Sequence, residues 1–132
     1  MKGFVVVLEK ETRGNTDFRR VLYTGKHSQL VLMSLRPGEE IGAETHKDVD
    51  QFFRFEAGEG KVVIDGADHN VTDGHGVIVP AGARHNVINT SKTKELKLYT
   101  IYSPPEHQDK VVRHTKKQAM ASEEHFDGHT TE

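Results

Sequence analysis

At 132 residues the chain is sized for one domain with a single buried core, and a two-domain organisation is not expected at this length. Apolar residues make up 34% and charged residues 29%, with twelve glycines, a balance that suits thin β-structure with many polar turns. Cysteine is absent, which removes thiolate ligands, disulfides and thiol nucleophiles, and the net charge of −2 leaves no basic footprint for nucleic acid. Nine histidines remain as nitrogen donors.

In chain order, Phe4 to Leu8 is a β-branched run bounded by charge, and it predicts a first strand at a sheet edge. It is too short for a signal-peptide core or a membrane span, so a soluble cytoplasmic protein is expected. Residues 9–20 are polar and turn-rich around Gly14-Asn15, with Arg19-Arg20 as a solvated pair, and Val21 to Thr24 follows as a short strand. Gln29 to Leu35 is apolar on both faces, as in a central strand, and Arg36-Pro37-Gly38 stops it. Gln51 to Phe55, a turn over Glu56 to Gly60, and Lys61 to Asp65 together predict a hairpin. Gly66-Ala67-Asp68 is the next turn. Val77 to Val79, Asn86 to Asn89 and Leu96 to Tyr102 supply further strands. Short strands at this spacing define an all-β antiparallel barrel or sandwich.

Ser103-Pro104-Pro105 ends the strand pattern, giving a barrel over residues 1–102 and a polar tail over 103–132. The tail holds four basic and six acidic residues and so carries the whole net charge. Within it Thr115 has capping-box spacing for a helix from Lys116 to Phe126.

Two segments carry the chemistry. Glu44 and His46 are two apart, so on a strand they share a face, and Gln51, Phe53 and Phe55 share one by the same alternation while Arg54 points away. His85 follows the tight turn Pro80-Ala81-Gly82 and shares its face with Val87 and Asn89. Glu44, His46, Gln51 and His85 can therefore converge, with Phe53 and Phe55 as an apolar wall. By parity against a solvent-facing Lys97, Leu98, Thr100 and Tyr102 point inward; with Met33 they complete the expected pocket of Met33, Phe53, Phe55, Leu98 and Thr100. Tyr102 and His27 are the candidate proton-transfer groups. His69 and His75 sit at turns and are expected to be exposed. His125 and His129 are separated by the helix-stopping Asp127-Gly128, which argues against a second metal site.

These segments resemble the two motifs of the cupin superfamily, over residues from about 30 to 102. The first reads Gly38, five residues, Glu44-Thr45-His46, four residues, Gln51, six residues, Gly58. The second reads Gly74, five residues, Pro80-Ala81-Gly82, two residues, His85, three residues, Asn89. The resemblance implies a jelly-roll β-barrel of six or more strands around one divalent metal, held by Glu44, His46, Gln51 and His85, and a homodimer. Glu44 stands where most cupins have His and Gln51 where they have Glu. The exchange conserves charge but trades a nitrogen donor for oxygen, pointing to Fe, Mn or Zn.

A barrel without metal would bury a carboxylate, two imidazoles and an amide with no counter-charge, which is costly. The expected function is a metalloenzyme acting on a small hydroxy-carbonyl or sugar-acid-like molecule, with the metal as Lewis acid in an isomerisation or ring opening. The alternatives are an Fe-dependent dioxygenase and, from a different class, a non-catalytic cupin that binds a small ligand.

Overall fold

The computed structural model describes residues 1–132. Helix α1 (Leu8–Gly14) precedes nine strands, β1 (Arg19–Thr24), β2 (Gln29–Leu35), β3 (Glu44–Thr45), β4 (Asp50–Ala57), β5 (Glu59–Ile64), β6 (Ala67–Thr72), β7 (Gly76–Val79), β8 (Arg84–Asn89) and β9 (Leu96–Ser103). Strand β10 (Val112–Arg113) and helix α2 (Lys116–Ala121) complete the chain. The strands form two antiparallel sheets, β10-β1-β2-β9-β4-β7 and β3-β8-β5-β6, whose inner faces enclose the core of a jelly roll.

The core follows from alternation. Val31, Met33 and Leu35 on β2, Phe53 and Phe55 on β4, and Leu96 and Leu98 on β9 point inward from the six-stranded sheet. Val62, Val71 and Val87 answer from the smaller sheet. Leu32 and Ser34 are buried as well, although they lie on the opposite face of β2. The α1 region covers that face, and Lys97 Nζ ties the two by donating to Asn15 O and Ser34 Oγ.

The N-terminal expectation is overturned. Residues 4–7 form no strand and Leu8 opens α1, because Leu8–Gly14 gains a Glu9–Arg13 ion pair at 3.1 Å and buries Thr12. Val5 and Val7 are left exposed, while Phe4 stacks on Tyr23 at 5.6 Å. The predicted hairpin from Gln51 to Asp65 is also absent. Strand β4 pairs with β7 and β9 while β5 pairs with β6 and β8, so Ala57-Gly58 is a corner between sheets. Phe53 and Val62 both face inward, from opposite walls. Gly58 has φ +91°, and a Cβ there would sit 2.5 Å from Glu95 O, so the corner needs glycine.

The true hairpin is β5–β6, turned at Asp65 and Gly66, both at positive φ. Strand β6, an edge strand with only Val71 buried, has no apolar alternation to announce it.

The tail packs on the barrel. β10 adds to the edge of β1, and Thr115 caps α2 by accepting from Gln118 N at 3.1 Å. The helix stops at Ala121, short of the predicted Phe126, and residues beyond it turn back so that Phe126 N donates to Glu106 O. No helix is long and apolar enough to cross a membrane.

Candidate metal centre

The site forms where the two sheets meet. β3 and β8 pair with Glu44 opposite His85, and Glu44 and His46 lie to one side of Thr45 by the strand alternation. Ligand atoms of Glu44, His46 and His85 all lie within 4.8 Å of one another, and the two imidazoles are 5.4 Å apart between centroids. From the other sheet β4 contributes Gln51, 2% exposed and opposite Tyr102 in register.

Each ring is oriented by its far side. His85 Nδ1 lies 3.1 Å from Ala83 O and donates to it, so Nε2 carries the lone pair. His46 presents Nδ1 to Glu106 Oε1 at 3.5 Å and Nε2 to Glu44 Oε1 at 3.6 Å. Gln51 Nε2 donates to Thr100 Oγ1 at 3.0 Å, which leaves Oε1 as its free acceptor. His46 Nε2, His85 Nε2 and Gln51 Oε1 are all buried without a hydrogen-bond partner. Buried polar atoms are costly when unpaired, and His85 Nε2, Gln51 Oε1 and, once its proton is lost, His46 Nε2 are donor types suited to a divalent cation, as is the Glu44 carboxylate. Glu44, His46 and His85 thus form a group that could hold the metal that the fold implies, with Gln51 buried on β4.

Electrostatics agree with that arrangement. Burial disfavours the charged form of His46, but the Glu106 and Glu44 carboxylates facing its two nitrogens outweigh it and raise its pKa to about 9. Burial would raise the Glu44 carboxyl, yet the facing His46 holds it below its ordinary range. Glu106 is held low in the same way. Tyr102 stands edge-on to His46 at 5.8 Å, its hydroxyl 3.2 Å from His107 Nε2, and burial pushes the phenol far above its usual range. It stays neutral.

A cavity of about 300 Å³ opens beside Glu44 and His46 and is walled also by Arg19, Glu106, Met120, Glu123 and His125 among others, while His85 and Gln51 do not line it. Its outer wall is therefore the C-terminal segment. Glu124, 8% exposed, fastens that wall: Arg113 Nη2 lies at 3.1 Å, Arg19 Nη1 at 3.4 Å and His107 Nδ1 at 3.1 Å. The His107 contact is electrostatic, since Nδ1 is out of line for a hydrogen bond. A larger cleft of about 340 Å³ beside Asp17, Arg36 and Glu95 contains no unpartnered buried donor or acceptor.

The expected pocket residues are placed differently. Met33, Phe53, Phe55, Leu98 and Thr100 are at most 1% exposed and form the core beneath the site, none of them lining the cavity. Phe53 reaches closest, its ring 6.1 Å from His85. Tyr102 is buried behind His46, and His27 is exposed in the β1–β2 turn away from the cavity wall. His69, His75, His125 and His129 are exposed. The residues missed by the sequence are Glu106, His107, Glu123 and Glu124. Their signal was slight: an acidic residue and a histidine directly after the last long strand, in a segment taken for a tail.

A cupin domain model matches residues 31–102. The uncharacterized protein YrkC of Bacillus subtilis is 50% identical over 129 residues, covering 93% of this chain and 69% of its own. The uncharacterized protein L612 of Acanthamoeba polyphaga mimivirus is 46% identical over 108 residues, or 79% of this chain and 67% of its own. The crystal structure of BH2720 from Bacillus halodurans superposes with a TM-score of 0.89 at 45% identity, over 92% of this chain and 96% of that one. With a jelly-roll barrel and a His/Glu group at the sheet junction, the chain belongs to the cupin family.

Proposed function

We propose that the protein is a mononuclear metal-dependent enzyme acting on a small hydroxy-carbonyl compound. The observation that carries this reading is the Glu44, His46 and His85 group, whose ligand atoms lie within 4.8 Å of one another and whose two imidazole Nε2 atoms are buried and unpartnered. A divalent ion held there supplies Lewis acidity to adjacent oxygens of a substrate. The chain's own residues do the rest. Ala83 O and Glu106 fix the two imidazoles with Nε2 toward the centre, and Phe53 keeps the inner side dry. Glu106 also lines the cavity, and it is the carboxylate placed to take a proton from the carbon or hydroxyl beside a substrate carbonyl and to return it.

The test is elemental analysis of the purified protein with Glu44→Ala and His85→Ala. One equivalent of Fe, Mn or Zn in the parent, and substantial loss in both variants, is expected. A parent that neither carries nor takes up a transition metal sinks the reading. Two imidazoles and one carboxylate also suit Fe(II) oxygenase chemistry. Oxygen consumption by the Fe(II)-loaded protein, measured against the Mn(II)-loaded form, separates the two.

A further inference from the structure

The pair Arg19-Arg20, expected as solvated, is divided by the alternation of β1. The Arg20 side chain is 53% exposed, whereas that of Arg19 is 13% exposed and lines the cavity beside Glu44 and His46. Strand β10 sets Arg113 directly opposite Arg19 in register. Like charges facing each other across paired strands are destabilising, and Glu124 is the only carboxylate that contacts either guanidinium. Its firmer bond goes to Arg113, where Oε2 accepts from Nη2 at 3.1 Å, and Ser122 O accepts from the same nitrogen. Arg19 is left with one long contact, Nη1 to Glu124 Oε1 at 3.4 Å, against roughly 2.8 Å for a charge-assisted hydrogen bond. Its Nε is buried with no partner. The guanidinium is held in place by the Phe18 ring, whose centre lies 5.7 Å from Cζ. Two guanidiniums thus share one carboxylate, and most of the Arg19 donor fork is unused.

Glu44 and His46 line the same cavity as Arg19, and a volume near 300 Å³ is at the small end of ligand pockets, so a molecule that fills it meets both. Of the other carboxylates there, Glu106 faces His46 at 3.5 Å and His125 at 3.8 Å, and Glu123 is exposed. We propose that Arg19 is the carboxylate-binding residue of this site, and that the substrate is a small hydroxy-carbonyl compound carrying a carboxylate. That carboxylate pairs with Arg19 while the hydroxyl and carbonyl oxygens face the metal. The occupant already on Arg19 is itself a carboxylate, which shows the shape of anion the guanidinium receives. Glu124 holds the place in the free protein, and the substrate competes with it. The inference rests on the metal-site reading above and names its substrate class.

δ-Hydroxylevulinate and its methyl ester make a matched pair of probes, since they share a hydroxy-ketone head and differ in the charge at the far end. Their binding to Mn(II)-loaded protein is read from the displacement of metal-bound water by proton relaxation. The acid is expected to bind about tenfold more tightly than the ester, the scale of a charge-assisted hydrogen bond. In Arg19→Gln that advantage should vanish, and Arg19→Lys should restore part of it, because the charge returns without the fork. In Glu124→Gln the advantage should grow about threefold, because the internal competitor has lost its charge. If Arg19 and Glu124 only fasten the wall, both variants weaken acid and ester together, and that result overturns the proposal. Equal binding of the two probes by the parent overturns it as well. A parent that fails to bind Mn(II) overturns the metal-site reading instead. Arg19 is then read directly from its Nε–H resonance as the metal-free protein is titrated with propionate: a saturable shift sustains the carboxylate site, and an unmoved resonance overturns it.

Discussion

Replacing Asn89 by alanine tests whether the last residue of the second motif acts at the site or holds the frame. Asn89 is 1% exposed, and its Nδ2 lies 3.1, 3.0 and 2.9 Å from the carbonyl oxygens of Leu35, Arg36 and Lys94. Its Oδ1 accepts from Ser91 N at 2.9 Å. One amide thus joins the end of β2 to the loop between β8 and β9. An NH2 group has two hydrogens, so one donor is shared among the three carbonyls, leaving two donated bonds and one accepted bond to lose. At about 1 kcal/mol net each, the change costs about 3 kcal/mol, and more if Ser91 N–H stays unsatisfied. For a domain of this size that is a fall in Tm of about 10 °C or more. Asn89→Asp keeps the acceptor but turns a carboxylate toward three carbonyls, so it should be no better than alanine. Thermal unfolding followed by circular dichroism reads the first effect, and metal content at a temperature where the variant is folded reads the second. Metal content should be unchanged. A variant as stable as the parent but stripped of metal would refute the reasoning and make Asn89 a ligand.

Gly58→Ala should lower Tm well beyond Gly74→Ala, by thermal melts on both. Each glycine has positive φ, but the new Cβ meets Glu95 O at 2.5 Å in the first and nothing within 4 Å in the second. Metal binding should compete with one proton on His46, whose pKa near 9 lies above its ordinary 6.5. Apparent affinity should therefore fall about tenfold per pH unit below 9, measured by competition with a chelator of known affinity. In the metal-free protein the same group stabilises the fold fully below pH 6.5 and loses that contribution as pH rises through 9. Urea midpoints should decline over this alkaline window, and metal loading should abolish the decline.

On the acid side, burial lowers the pKa of His107, so stability is lost as pH falls below 6.5 toward its folded value. Glu124 adds to the loss lower down: burial raises its carboxyl, but His107, Arg19 and Arg113 outweigh this, and its contribution disappears as pH falls through the depressed value. Glu124→Gln should flatten the acid limb of the urea midpoint curve and also lower the midpoint at neutral pH, because Arg19 and Arg113 lose their counter-charge.

Period-two alternation was enough to identify the strands that bury one face against the core. β8 and β9, and the inward set Gln51, Phe53 and Phe55, are written in the chain, since a one-residue slip would turn their buried face outward, whereas β2 is legible as a run apolar on both faces. The spacing of Glu44, His46, Gln51 and His85 was legible for the same reason: same-face geometry is local. What local pattern cannot carry is which strand lies beside which. β4 and β5 look like a hairpin in sequence, yet β4 pairs with β7 and β9 and β5 with β6 and β8, so they lie in different sheets. The apolar run at Phe4 satisfies strand propensity, but no strand partner is there to receive it. The cavity is the fullest case. Its wall is drawn from Glu106 and residues 119–125, polar positions with no periodicity. They meet Glu44 and His46 because β10 pairs with β1 and Glu124 locks onto Arg19 and Arg113. The sequence by itself determined the core-facing strands and the spacing that brings Glu44, His46 and His85 together. The tertiary structure decided what surrounds them, because long-range charge pairing and strand order leave no mark on neighbouring residues.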